Sequence, residues 1–346
     1  MNNKDLIKNK RNYSISLLRV FAMFSIVLCH FFGWLNVAFL AQFLNFGVYL
    51  FLFISGFLYA NKEIEPYGHW ILVRLKKLLI PYYLFAIPVM IIFYSANSVD
   101  IFQIMKYLFC LQGLNFILIG VPYTEIEPLG NLWFITIILI CYLITILVKK
   151  AEKRFVIKKQ TVIIILAVAL LLSVILGSLS IPSINLIYFV AYFTGYYISK
   201  YPVRNTRKTF CFLGIIMLFA SVVIRLITKV YIKESFSETY AMITGVTLFA
   251  AAVSFYFIFN YLQSRFKCLV VLAKSKAWMT MDKFSYFVYI THFAFLHSVT
   301  SVDNFHVSKF FTILLFLSFT VISTIILYYL NDVIQKHLFK SKANKS

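Results

Sequence analysis

The stretch YSISLLRVFAMFSIVLCHFFGW, residues 13–34, governs how the rest of the chain is read. It is a single apolar run that passes the roughly 20 residues a helix needs to span a bilayer. Inside it sit two ionisable side chains, Arg19 and His30. Such groups are costly at membrane depth; they usually face a bundle interior or a wet cavity and mark function. The two are eleven positions apart. At about 100° per residue that is three full turns, so both project from one helix face, roughly 16 Å apart along the axis. One face therefore presents a fixed cation and, further along, a proton-transfer group.

Working outward, the composition points the same way. Of 346 residues, 62% are hydrophobic and 13% charged, against about 25% charged in soluble domains. Helices apolar on all sides cannot be hidden in one soluble core. The fold class expected is all-α, a polytopic membrane helix bundle. Ten spans are read, at 14–34, 43–60, 79–97, 130–148, 160–180, 183–199, 209–228, 240–262, 283–300 and 309–330. The segment 100–119 is apolar but broken by Gln103, Lys106, Gln112 and Gly113, and reads as interfacial or re-entrant. The net charge is +21. Its distribution is lopsided: alternate loops and ends carry 27 Lys and Arg against 4. By the positive-inside rule both termini are expected in the cytoplasm. The expected organisation is a basic N-terminus over 1–13, a ten-helix domain over 14–330 and a basic tail over 331–346. No basic domain stands apart from the spans, which argues against nucleic acid as a partner. Cys29, Cys110, Cys141, Cys211 and Cys268 are scattered with no CxxC, so neither a disulfide framework nor a metal site is expected.

Orientation gives the other polar residues a depth. Arg19 falls near the inner third and His30 toward the outer leaflet. Arg74 and Lys77, three apart, share a face at the inner boundary, just before Pro81, which is expected in a first helical turn. Two cations there suit a phosphate-bearing cytosolic ligand or anchoring to anionic lipid. Ser285, Tyr289 and His292 share one face of the ninth span, in a role either functional or confined to interhelical hydrogen bonds. Arg225 lies near the outer end of the seventh span and is long enough to snorkel. Glu127, in the outward loop VPYTEIEPLGN with Glu125, is a candidate for orienting an acceptor or His30. Ser55 and Gly56 form a small pair that permits close helix approach.

Arg19-x10-His30 also resembles the signature of the membrane-bound acyltransferase 3 family. GVYLFLFISGFL (47–58), RLKKLLIP (74–81), LWFITIILICYL (132–143) and FSYFVYITH (284–292) resemble further motifs of that family, in the right order. The resemblance covers residues 14–330 and implies ten membrane helices in the cell membrane. It implies O-acyl transfer, most often of acetyl, from cytosolic acetyl-CoA to a hydroxyl of a cell-envelope or exported glycan or lipid-linked sugar. His30 would then be catalytic, as general base or as acyl carrier. Arg19 would lie on the donor's path or stabilise the thioester oxyanion. Arg74 and Lys77 would engage the phosphates of coenzyme A, with Lys77 replacing an arginine and losing its bidentate fork. Tyr289, Ser285, His292, Glu127 and Arg225 would be supporting or acceptor-side residues. The competing reading is an exporter of polysaccharide or lipid-linked sugar without acyl chemistry, although no inverted repeat or pair of broken helices supports it.

Overall fold

The computed structural model describes residues 13–96, 98–118, 125–179, 185–202, 207–231, 237–297 and 300–343. Residues 1–12 of the basic N-terminus and residues 97, 180, 183–184 and 298–299 of the expected spans lie outside the described residues. Among the described residues the chain is all-helical. The first helix, α1 (Tyr13–Trp34), matches the opening stretch. It is followed by α2 (Ala38–Leu44), α3 (Gly47–Tyr59) and α4 (Tyr67–Ser95). Two short helices, α5 (Ile101–Leu108) and α6 (Leu114–Ile117), lead to α7 (Trp133–Arg154) and α8 (Lys159–Ser178). Then come α9 (Ile187–Lys200), α10 (Arg207–Tyr231), α11 (Ser237–Arg265), α12 (Lys267–Lys274), α13 (Lys276–Thr291) and α14 (Lys309–Ala343).

Among the described residues, eight passages are long and apolar enough to cross a membrane, α2 and α3 counting together as one. The other two of the ten expected spans fall on α9, 14 residues long, and α13, 16 residues long. At about 1.5 Å per residue both are shorter than a hydrocarbon core of roughly 30 Å. They are covered by protein instead: Ile187, Ala191, Tyr192, Tyr196, Ile290 and Thr291 are fully buried. The ninth span also shifts. Ser275 caps α13 by accepting from the Trp278 amide at 3.2 Å, so the helix starts before residue 283. It ends at Thr291, where His292–Phe295 tighten into a 3-10 turn.

Pro81 is not in a first turn. α4 runs 29 residues with Pro81 and Pro88 both inside it. The basic segment 74–77 simply continues the helix, and neighbouring elements make a lost backbone bond tolerable at depth. α14 continues as helix through Ala343.

Of the 100–119 segment, residues 100–118 are described and pack back into the bundle. Cys110 takes a left-handed φ of 56° between α5 and α6. Irregular backbone in such a place must be satisfied by protein. Here the Tyr82 hydroxyl donates to the Tyr107 carbonyl at 2.6 Å and the Thr136 hydroxyl to the Cys110 carbonyl at 2.6 Å. The buried Gln112 donates to the Leu132 carbonyl at 2.9 Å.

Glycine lets α3 pack closely on α9. A methyl group on Gly56 would fall onto the Tyr192 carbonyl, and one on Gly195 onto the Phe53 carbonyl. Both obstacles are backbone, so relief requires moving a helix. Gly56→Ala or Gly195→Ala is expected to cost about 3 kcal/mol or more, above ordinary overpacking. A thermal melt of the detergent-solubilised protein checks this. Gly33→Ala, where nothing lies within 4 Å, serves as the neutral reference.

Candidate active site

The face shared by Arg19 and His30 borders two different cavities. At the Arg19 end lies a cavity of about 650 Å³ lined by Arg19, Arg74, Lys77 and Lys283, with Ser285 and Asp282. Residues from α1, α3, α4, α7 and α13 form its wall. Arg19 is not loose in it. Its Nε lies 2.7 Å from Asp282 Oδ1, and its Nη2 donates to Oδ2 at 3.1 Å. The Ser16 hydroxyl donates to the same Oδ2 at 2.9 Å. This two-point pairing fixes the plane of the guanidinium as a single contact would not. Asp282 escaped the sequence reading because a carboxylate at a span boundary beside Lys283 looks like a solvated loop charge.

Arg74 is held differently. Its guanidinium lies over the Tyr59 ring at 5.0 Å and the Trp70 ring at 5.9 Å, leaving Nε buried without a hydrogen-bond partner. Lys77, one turn on, is exposed. Lys62, in the loop between α3 and α4, belongs to the same cation field. Desolvation first, then the nearby Arg74, Lys77 and Arg19, hold its ammonium below the ordinary lysine value. An anion arriving among these groups is attracted by all of them.

At the His30 end the surroundings change. His30 borders a cavity of about 280 Å³ whose walls include Tyr49, Phe116, Glu125, Asn131, Trp133 and Tyr289. Its ring meets the Phe293 edge at 4.7 Å and the His292 ring at 5.4 Å. His292 is fully buried. Its Nδ1 lies 3.0 Å from the Val288 carbonyl. A carbonyl only accepts, so Nδ1 is the donor in this contact, and Nε2 is buried without a hydrogen-bond partner. A second cavity of about 360 Å³ adjoins this one through Asn45, Tyr49, Phe116, Tyr188 and Leu248.

Tyr289 stands between the two ends. Its hydroxyl donates to the Asn131 carbonyl, and the Asn131 amide donates back to the Tyr289 carbonyl at 2.5 Å. Its ring packs on Phe134 at 5.7 Å and Phe51 at 6.5 Å, both of which line the Arg19-end cavity. Arg19, Arg74, Lys77 and Ser285 thus line one cavity, His30 and Tyr289 line the other, and His292 packs on the His30 ring.

Two of the residues singled out from sequence lie elsewhere. Arg225 lines neither cavity. It donates to the Gln42 carbonyl at 2.7 Å and to the Ser221 carbonyl at 3.3 Å, and lies over Phe43 at 4.9 Å. It straps α10 to α2. Glu127 is exposed and close to His297, while its neighbour Glu125 lines the His30 cavity. Two residues apart, the pair diverges because a 3-10 turn begins at Glu127.

Comparison with known proteins adds one match. The acyltransferase domain of the acyltransferase 3 family matches residues 12–332. No curated protein and no solved structure matches the chain. Because that match runs through nearly the whole bundle and takes in both cavities, the chain belongs to the acyltransferase 3 family, as a multi-pass membrane acyltransferase.

Proposed function

We propose that this protein transfers an acyl group, acetyl by preference, from cytosolic acyl-CoA to a hydroxyl of a cell-envelope or exported glycan or lipid-linked sugar. The observation that carries the reading is the division of one helix face: a cationic cavity around Arg19 and an aromatic, uncharged-to-acidic one around His30. In this reading the protein lies in the cell membrane with both termini and the Arg19 end in the cytoplasm. Arg74 and Lys77 take the donor phosphates, and Arg19 lies beside the thioester arm. His30 removes the acceptor hydroxyl proton as the oxygen attacks the thioester carbonyl. The carbon–sulfur bond breaks, and the thiolate leaves with the proton carried by the imidazolium. The products are an ester and free coenzyme A. If His30 instead carries the acyl group, the kinetics become ping-pong.

The test is purified protein in vesicles, given labelled acetyl-CoA and de-esterified envelope glycan from the host. Ester-linked label on the glycan supports the reading. Label that stays on coenzyme A, with protein-dependent export of unmodified glycan, replaces it with transport. Arg74 and Lys77 give a finer check. Arg74→Ala together with Lys77→Ala is expected to raise the donor KM by about tenfold or more with a smaller change in kcat, since phosphate contacts contribute uniform binding. An unchanged donor KM with altered anionic-lipid binding would make these cations lipid anchors.

A further inference from the structure

The two adjoining cavities at the His30 end have a wall that the reaction chemistry does not require. Four aromatic rings run along it without a break. Phe116 stacks on Trp133 at 4.3 Å and 19°. Trp133 meets Tyr188 at 5.2 Å, and Tyr188 stacks on Tyr49 at 5.2 Å and 18°. The face of an aromatic ring is electron-rich. In each stacked pair one face of each ring is taken by its neighbour, and a face left over suits a partner that presents a flat array of weakly positive C–H groups, as one face of a pyranose ring does.

Three polar atoms on the same walls have no partner. Asn131, only 2% exposed, has its Oδ1 buried without a hydrogen-bond partner. Asn115 Nδ2 and Thr244 Oγ1 are likewise buried and unpartnered. Asn131 lines the first cavity, and Asn115 and Thr244 line the second. Buried polar atoms in native proteins nearly always have partners, and those that do not call for an explanation. Here they supply an acceptor, a donor and a hydroxyl around one aromatic wall, the pairing a polyol needs.

Charge narrows the class of polyol. Glu125 lines the first cavity and Glu238 the second, and among the described residues neither cavity is lined by Lys or Arg. A carboxylate or phosphate on the bound ring would meet like charge and no cation. Together the cavities fall in the roughly 300–1,000 Å³ range of small-molecule sites.

We infer that the Phe116–Trp133–Tyr188–Tyr49 wall, with Asn115, Asn131 and Thr244, is the acceptor subsite, and that it takes a neutral or amino-sugar ring and rejects uronic acids and phosphorylated rings. The inference rests on the acyl-transfer reading only in naming the bound ring an acceptor. Residues on this wall act on the acceptor without touching the donor cavity.

Binding can be measured apart from chemistry, by saturation-transfer NMR on the full-length protein in detergent without a sugar headgroup. The probes are methyl β-glucoside, methyl N-acetyl-β-glucosaminide and methyl β-glucuronide. A neutral glycoside is expected to bind, with the glucuronide at least about tenfold weaker, because an unpaired charge would be buried. Asn115→Leu, close in shape, is expected to weaken the neutral glycoside about fivefold or more at unchanged thermal midpoint. No transfer to either neutral glycoside, equal binding of the glucuronide, or an indifferent Asn115→Leu would each overturn the subsite. Acylation assays separate the two readings. Glycoside binding with no acyl transfer to any glycan removes the acyl-transfer reading and keeps the subsite. Acyl transfer with an unchanged acceptor KM in Asn115→Leu keeps the reading and removes the subsite.

Discussion

His30→Ala is expected to abolish measurable acyl transfer while leaving donor binding intact. The magnitude follows from the role: a positioned general base contributes about 10²–10⁴-fold, and loss of an acyl carrier costs at least as much. The geometry predicts selectivity as well as size. His30 lines the small aromatic cavity, and the cations lie in a different one beyond Tyr289. The variant should therefore bind acyl-CoA with the wild-type affinity and turn it over no faster than background. Its fold should survive, because His30 is half-buried and, among the described residues, its ring makes only aromatic contacts, to His292 and Phe293, that a neighbouring side chain can relax into. In cells, acetyl content and surface amount of the host glycan should separate: lost ester with normal glycan at the surface. Retained ester with lost surface glycan would end the enzymatic reading.

Asp282→Asn should produce the second large effect, in a form that distinguishes orientation from charge. The aspartate grips Arg19 at two points and Ser16 at a third. With the carboxylate gone, the cavity holding Arg19, Arg74, Lys77 and Lys283 becomes more positive. An anionic donor should bind more tightly, lowering its KM severalfold. Arg19, however, loses the partner that fixes its plane. Misplacing a group by about 1 Å can cost up to 10²-fold, so kcat should fall by about 10–100-fold. Tighter donor binding with slower turnover is the signature to look for. A stability loss should accompany it. Asp282 is 3% exposed but the Arg19 side chain 35%, so water screens the exposed partner. The cost should be about 1–2 kcal/mol, below the 3–5 typical of a fully buried pair. Donor titrations against wild type read the kinetic split. If KM and kcat both stay at wild-type values, Asp282 is a bystander and Arg19 is oriented by other contacts.

The eleven-residue spacing of Arg19 and His30 was legible because helix periodicity is rigid and the membrane penalises stray ionisable groups. The close approach at Gly56 was legible because a small residue in an apolar helix has few other uses. Asp282 was not, because its importance lies in a partner 263 positions away. The start of α13 was misplaced for a related reason: Ser275 caps it from within a basic stretch that reads as loop. Arg225 looked like a site residue because a buried cation reads the same whether it binds substrate or two backbone carbonyls. Glu125 and Glu127 were indistinguishable until the turn beginning at Glu127 pointed them to different places. The aromatic wall draws on α3, α6, α7 and α9. A pattern assembled from four separate elements has no signature in any one of them.

The layer made by Tyr289, Phe51 and Phe134 also has an electrical meaning. Tyr289 lines the His30 cavity, and the Phe51 and Phe134 rings it packs on line the Arg19-end cavity, so water filling both would leave these rings as the low-dielectric layer between them. Across such a layer most of a membrane's voltage drop is concentrated. Carrying one elementary charge through costs or yields about 2.3 kcal/mol per 100 mV. An uncharged acyl-bearing arm crosses it with no electrical work, while the phosphates of the proposed donor stay behind among Arg74 and Lys77. An enzyme built this way would run at the same rate in an energised and a depolarised membrane.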